Sequence, residues 1–231
     1  MSSNFLFLFL SILCSLPVFG VDTASKIPKN DWVHITTRDK IEVFSKKNID
    51  SPIRSLRAQG LINSKIDDII AILRNVEGAR DWIPNLVERS YVQNISDREA
   101  ILYDVSDLPW PVTDRDMVVH HKIFLAEDKE SLILQFKSVD HPDKPLHSEY
   151  IRAILIDGSI DFIPRGDKTF VRITLKVDPM GNIPKFVVNL VQVNMPYDFL
   201  SSLNRYASKT TLKPPAGIQE LIDQLVRGGK D

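Results

Sequence analysis

From Asp31 onward the chain alternates apolar and polar positions with a period of two. "DWVHITTRDKIEVFSKK" predicts two strands about the polar turn Arg38-Asp39-Lys40, and "IRSLRAQGLI" predicts a third. The period then changes. Ile66, Ile69, Ile70 and Leu73 recur at helical spacing, with Ser64 expected at the N-cap and Asp67 and Asp68 in the first turn, where the helix dipole favours acids. Asn75 to Trp82 continues as a short helical or turn segment that Pro84 stops.

Six further strands are expected, broadly at 86–95, 99–106, 116–126, 131–139, 149–163 and 168–178. In the last, Val171, Ile173, Leu175 and Val177 share one face while Arg172, Thr174 and Lys176 share the other, the mark of a sheet with one dry and one wet face. After "DPMGNIP" the period becomes helical again. "KFVVNLVQVNMPYDFLSSLNRYAS" predicts a helix about 35 Å long at 1.5 Å per residue. Phe186, Leu190, Val193, Tyr197 and Leu200 line one side of it, and Val188, Val191, Met195 and Phe199 the opposite side, so both long faces need cover. Pro196 falls on the narrow polar stripe with Lys185, Asn189 and Gln192, where a kink is tolerable because the freed Gln192 carbonyl can be hydrated. A last helix in "PAGIQELIDQLVRGG" places Ile218, Leu221, Ile222, Leu225 and Val226 on one side, a candidate to cover the long helix. Nothing repeats internally and no linker divides the chain, so one domain of α+β class is expected.

Composition narrows the function classes. With 29 basic and 30 acidic side chains the net charge is −1, which favours neither nucleic acid nor an anionic surface. The first 21 residues carry no charge, and the apolar run ending at Leu16-Pro17 has the length of a secretory signal core, with Val18 and Gly20 small enough for a cleavage site after Gly20. The positive charge that usually precedes such a run is missing, and an uncleaved anchor is the alternative. The expected division is a signal peptide at 1–20, one domain at 21–210 and a helical extension at 211–231, with export to the periplasm or exterior. Cys14, the only cysteine, lies in the signal, so the mature chain would have no disulfide, thiolate metal site or cysteine nucleophile.

One loop asks for a purpose. "DLPWPVTDRDMVV", residues 107–119, sets Trp110 between two prolines, adds three charged residues and runs straight into an apolar strand. Together with "EYIRAILIDGSIDFIP" at 149–164 and "KTFVRITLKVDPMGNIPKFVVN" at 168–189, it resembles the START lipid-transfer domain over roughly residues 30–208. The resemblance implies a helix-grip fold, a curved antiparallel sheet wrapped around a long C-terminal helix, leaving an apolar tunnel for one lipid. It implies that the Pro-Trp-Pro loop is a lid, with Trp110 facing the cavity mouth or a bilayer; a Trp that merely plugs the core is the plainer alternative.

Alternation on the strand from Met117 sets Val119, His121 and Ile123 on one face and His120 on the other, so the two histidines form no metal pair. In some sterol- or phospholipid-carrying members of the family a basic cavity residue near here meets the ligand's polar end. By that resemblance His121 is a ligand contact; by its apolar neighbours it is a hydrogen-bonded core residue. Arg115 and Asp116 match the family's Arg-Asp pair, read first as an anchor for the lid's end and second, for Arg115, as a ligand contact. Arg152 is read as structural. Tyr103, Phe136, Phe186, Leu190 and Val193 complete the expected lining, each of them equally compatible with solid core.

No Ser-His-Asp elbow, phosphate loop or clustered metal ligands are present in the sequence. His121 with Tyr103 or Asp104 is the only catalytic pairing to suggest for a cyclase-like enzyme on this fold. The expected function is a monomeric carrier that needs no cofactor, binds a phospholipid, sterol or other hydrophobic small molecule, and touches membranes transiently. A ligand-gated interaction module using the terminal helix as partner surface is a further alternative.

Overall fold

A computed structural model describes residues 31–183 and 185–228, with the side chains of the long helix described from Asn194 onward. The proposed signal peptide and Cys14 lie outside the described residues.

The first hairpin follows from its turn. β1 (Val33–Arg38) and β2 (Ile41–Asn48) are joined by Asp39 and Lys40, both at positive φ (48° and 63°), the geometry whose twist suits a two-residue hairpin loop. β3 (Ser51–Ile62) returns beside β2, and α1 (Ile66–Arg74) follows. The N-cap of α1 is Lys65 and not Ser64; no side chain caps it, and Ser64 instead gives its carbonyl to the Thr169 hydroxyl at 3.0 Å. A short 3-10 turn, Ala79–Asp81, leads into β4 (Leu86–Ser96), β5 (Glu99–Ser106), β6 (Arg115–Leu125) and β7 (Leu132–Ser138).

The strand expected at 149–163 is two strands. β8 (Ile151–Arg152) pairs parallel with the start of β6, and the Ala153 amide also bonds back to Asp116. The chain then crosses to become β9 (Ile154–Arg165), between β7 and β10 (Lys168–Asp178). The result is an antiparallel sheet in the order β1-β2-β3-β10-β9-β7-β6-β5-β4, with β8 paired off this path to β6.

The strands at the centre of the sheet alternate buried and more exposed positions, as in β2, β3 and β10. Val43, Ala58, Ile160, Phe162, Val171 and Ile173 meet Ile69 and Ile70 of α1 and Leu200 and Leu203 of α2 (Lys185–Ala207), forming the main core. α2 packs against β2 and β3. The β1–β2 turn grips it beside Pro196: the Arg38 guanidinium lies 3.8 Å from the Tyr197 ring centroid and donates to Asn194 Oδ1 (3.1 Å), while the Tyr197 hydroxyl donates to Asp39 at 2.5 Å.

α3 (Ala216–Gly228) buries Ile218, Leu221, Ile222 and Leu225, but against α1 and the β6–β7 hairpin, not over the long helix as its pattern suggested. The β4–β5 turn fixes it there. Gly217 N–H donates to Asp97 Oδ2 (2.8 Å), Arg98 Nε donates to the Gly217 carbonyl (2.7 Å), and Arg98 pairs with Glu220 (2.8 Å). Among the described residues no helix is long and apolar enough to cross a membrane.

Candidate functional site

Between the sheet and α2 lies a cavity of about 360 Å³. Protein interiors seldom leave voids larger than a water molecule, whereas this one has room for on the order of ten. Its walls are set by strand parity. Met117, Val119 and His121 face it from β6, Leu134 and Phe136 from β7, and Ile173, Leu175 and Val177 from β10. Leu155 and Ile160 add β9, with a register shift opposite Lys176 and Val177 changing which positions point inward. Phe199, Met195 and Pro196 close it from α2. Pro196, read from the sequence as part of a polar stripe, is buried on this wall. Trp82 supports Phe199 from behind, edge to face at 5.2 Å.

Two polar stations interrupt the apolar wall. Arg89 of β4 and Asp104 of β5 stand directly opposite in the ladder and form a two-pronged ion pair, Nε to Oδ1 at 2.8 Å and Nη2 to Oδ2 at 2.6 Å. Deeper in, His121 stacks on Phe136 with centroids 5.7 Å apart and planes 15° from parallel. Burial, with the positive Arg89 as a smaller contribution, pushes the His121 pKa down to about 3, so the ring is neutral. Among the described residues its Nε2 has no hydrogen-bond partner. Asp104 pairs with Met117, four residues before His121, so the two stations are about 13 Å apart along the strand.

Gly158 makes space for one wall. It pairs with Phe136 across β7 and β9, and a Cβ there would lie 2.4 Å from Phe136 Cε2.

The loop of residues 107–114 forms the rim. Asp107, Leu108 and Pro109 line the cavity mouth, while the Trp110 side chain is 90% exposed and points away from the cavity. The loop is tied down at both ends: the Asp107 amide donates to the Asn85 carbonyl (2.9 Å), and Asp114 accepts from the Leu108 amide (3.2 Å).

Several expected lining residues lie elsewhere. Tyr103, the neighbour of Asp104, faces the opposite side of the sheet, where its hydroxyl donates to Asp116 at 3.2 Å and Lys144 Nζ sits 3.9 Å from its ring centroid. Asp116 is also held by Arg152 through two contacts of 2.9 Å, which makes Arg152 structural. Arg115 is buried away from the cavity and donates to the carbonyls of Thr113, Pro179 and Met180, so it is an anchor for the rim. The side chains of Phe186, Leu190 and Val193 lie outside the described residues. Of the expected set, the cavity therefore brings together His121 and Phe136, and sequence reasoning missed Arg89. The only signal for it was a lone basic residue on a strand whose partner strand carries Asp104. Among the described residues no three metal-binding side chains gather.

Comparison with known proteins agrees with this architecture. An uncharacterized protein of Pseudomonas aeruginosa is 26% identical over 193 residues, covering 83% of this chain and 93% of that protein. START domain-containing protein 10 of Mus musculus is 29% identical over 119 residues, covering 51% of this chain but only 40% of its own length. Among solved structures, human StAR-related lipid transfer protein 5 superposes with a TM-score of 0.71 at 16% identity, over 78% of this chain and 88% of that one. The STAR-related lipid transfer protein of Xanthomonas axonopodis gives 0.69 at 24% identity, over 78% of this chain and 100% of its own. The START domain family model matches residues 26–207, and the chain belongs to that family.

Proposed function

We propose that this protein is an exported carrier that holds one hydrophobic ligand, a lipid, in the cavity between sheet and α2 and shields it from water. The observation that carries the reading is the apolar-walled space of about 360 Å³ in a START-family chain. Each methylene moved from water into such a space contributes about 0.8 kcal/mol, so a long chain or ring system gains on the order of 10 kcal/mol. Relatives named for lipid transfer, including a ceramide transfer protein of Homo sapiens 27% identical over 158 residues, support the same class.

Membrane contact is part of the proposal. Trp110 is exposed on the rim, with Met180 and Met195 also partly exposed, and an indole suits the interface between water and acyl chains. Export rests on the uncharged, apolar stretch before Val21. Binding as a monomer is part of the same reading. A carrier suits the site better than a cyclase-like enzyme, because Asp104 is engaged by Arg89 and stands opposite Met117, four residues along β6 from the neutral His121, and Tyr103 is on the far side of the sheet. The apolar face of α3 is spent on α1, which speaks against its use as a partner surface.

Native mass spectrometry of protein purified without detergent tests the reading. A mass above the polypeptide by one lipid is expected, together with uptake by delipidated protein from mixed liposomes. A homogeneous bare mass with no uptake would overturn it. The same spectra give the mature N-terminus, expected at Val21.

A further inference from the structure

The main cavity has a neighbour. A second chamber of about 30 Å³ lies between the C-terminal end of α1 and strands β4 to β7. It has room for roughly one or two waters. Leu73, His121 and Leu134 line both spaces and so form the partition between them. On its far side the chamber reaches the surface, where Tyr91 is exposed and Arg98 half-buried. Hydrogen bonds hold that border in place. The Tyr91 hydroxyl donates to the Arg74 carbonyl (3.3 Å), Arg74 Nη2 donates to the Ser96 carbonyl (3.2 Å), and Arg98 is tied to Gly217 and Glu220 of α3.

Two residues of this lining carry buried nitrogens that lack a partner among the described residues, Arg74 Nε and His121 Nε2. Leaving such groups dry is costly, and native proteins almost always give them a partner. Water answers both. It accepts from Arg74 Nε, which can only donate, and it offers a proton or a lone pair to His121 Nε2 in either tautomer. Ile70, Val76, Leu102 and Ile123 make up the rest of the wall with apolar side chains that cannot compete. We infer that this chamber is a water-filled rear outlet of the lipid cavity: water bridging Arg74 Nε and His121 Nε2 occupies it, and water displaced by an entering lipid leaves past Leu73, His121 and Leu134. The inference rests on the carrier reading. A lipid entering at the rim obstructs the way it came in, so the water ahead of it needs a second route.

The test has two arms. A high-resolution crystal structure of the protein is expected to show water in contact with both Arg74 Nε and His121 Nε2. Stopped-flow mixing of delipidated protein with cis-parinaric acid, a fluorescent fatty acid, then compares the parent with Val76→Phe, which fills the outlet at a position that does not line the main cavity. Uptake and release are expected to slow severalfold and by the same factor, leaving affinity at equilibrium unchanged. Should that variant fail to fold, Tyr91→Trp narrows the same outlet from an exposed position and is expected to act alike. A dry chamber, or unchanged rates in a folded variant, overturns this inference and leaves the carrier reading standing. Slower uptake with unaltered release overturns it too, because the weakened affinity would place part of the lipid itself in the chamber. A parent protein that takes up neither the probe nor lipid from mixed liposomes overturns both.

Discussion

The ring of Phe136 occupies the space over Gly158 that any other residue's Cβ would fill. The two are opposite partners in the β7–β9 ladder, and the same ring stacks on His121. One missing side chain on β9 thus sets the position of two cavity-lining rings on β7 and β6.

Gly158→Ala is therefore expected to push Phe136 toward the cavity. Overpacking of this kind costs about 1–3 kcal/mol, read as a lower urea midpoint. Lipid uptake should fall as well. Adding Phe136→Leu to the same protein should recover part of both, which a loss confined to the β9 backbone would not show.

His121 makes stability depend on pH with a definite sign. Its folded-state pKa of about 3 lies below the ordinary value of 6.5, so between those values the unfolded chain binds the extra proton and the folded one does not. The contribution is fully present above the unfolded value and is lost as pH falls. Between pH 7 and pH 5 the expected loss is about 2 kcal/mol. Urea midpoints at both pH values should show this slope in the parent protein, and a smaller one in His121→Leu.

Asp116 is 1% exposed and accepts from Arg152 and Tyr103 on the face away from the cavity. Asp116→Ala leaves the Arg152 charge without its partner, at an expected cost of about 3–5 kcal/mol. Tyr103→Phe removes a single hydrogen bond and should cost about 1 kcal/mol. Lipid uptake by the Tyr103→Phe protein should match the parent; a marked drop would return Tyr103 to the cavity.

Trp110 touches little of its own protein, so Trp110→Ala is expected to change stability by no more than about 0.5 kcal/mol. Its effect should be kinetic. Transfer of a fluorescent lipid between vesicles should slow severalfold, with binding at equilibrium unchanged. Unaltered transfer would show that the indole has no part in membrane contact.

Much of the architecture was legible because it is periodic. The alternation through Val171, Ile173 and Leu175 gave β10 and its inward face, and the helical spacing gave α2 and α3. Where α3 docks was not legible, since its apolar stripe fits any apolar surface; Asp97 and Arg98, a long way back in the chain, decide it. The face of β5 was ambiguous for a different reason. Leu102, Tyr103, Asp104 and Val105 are all buried, because both sides of this strand are covered, and a one-residue choice exchanges Tyr103 for Asp104. The parity of β6 resolves it, since Asp104 and Met117 are cross-strand partners on one face. Arg89 was missed because its role exists only in the ladder. A basic residue on an edge strand reads as solvated until its opposite number is known.

Arg115 reaches three carbonyls that belong to two separate parts of the rim: Thr113 at the end of the Pro-Trp-Pro loop, and Pro179 and Met180 in the connection before α2. A single guanidinium thus serves as a common post for both sides of the doorway. Amide exchange around Thr113 and around Gly181 should consequently rise and fall together, so that the threshold a ligand crosses behaves as one frame and not as two independent flaps.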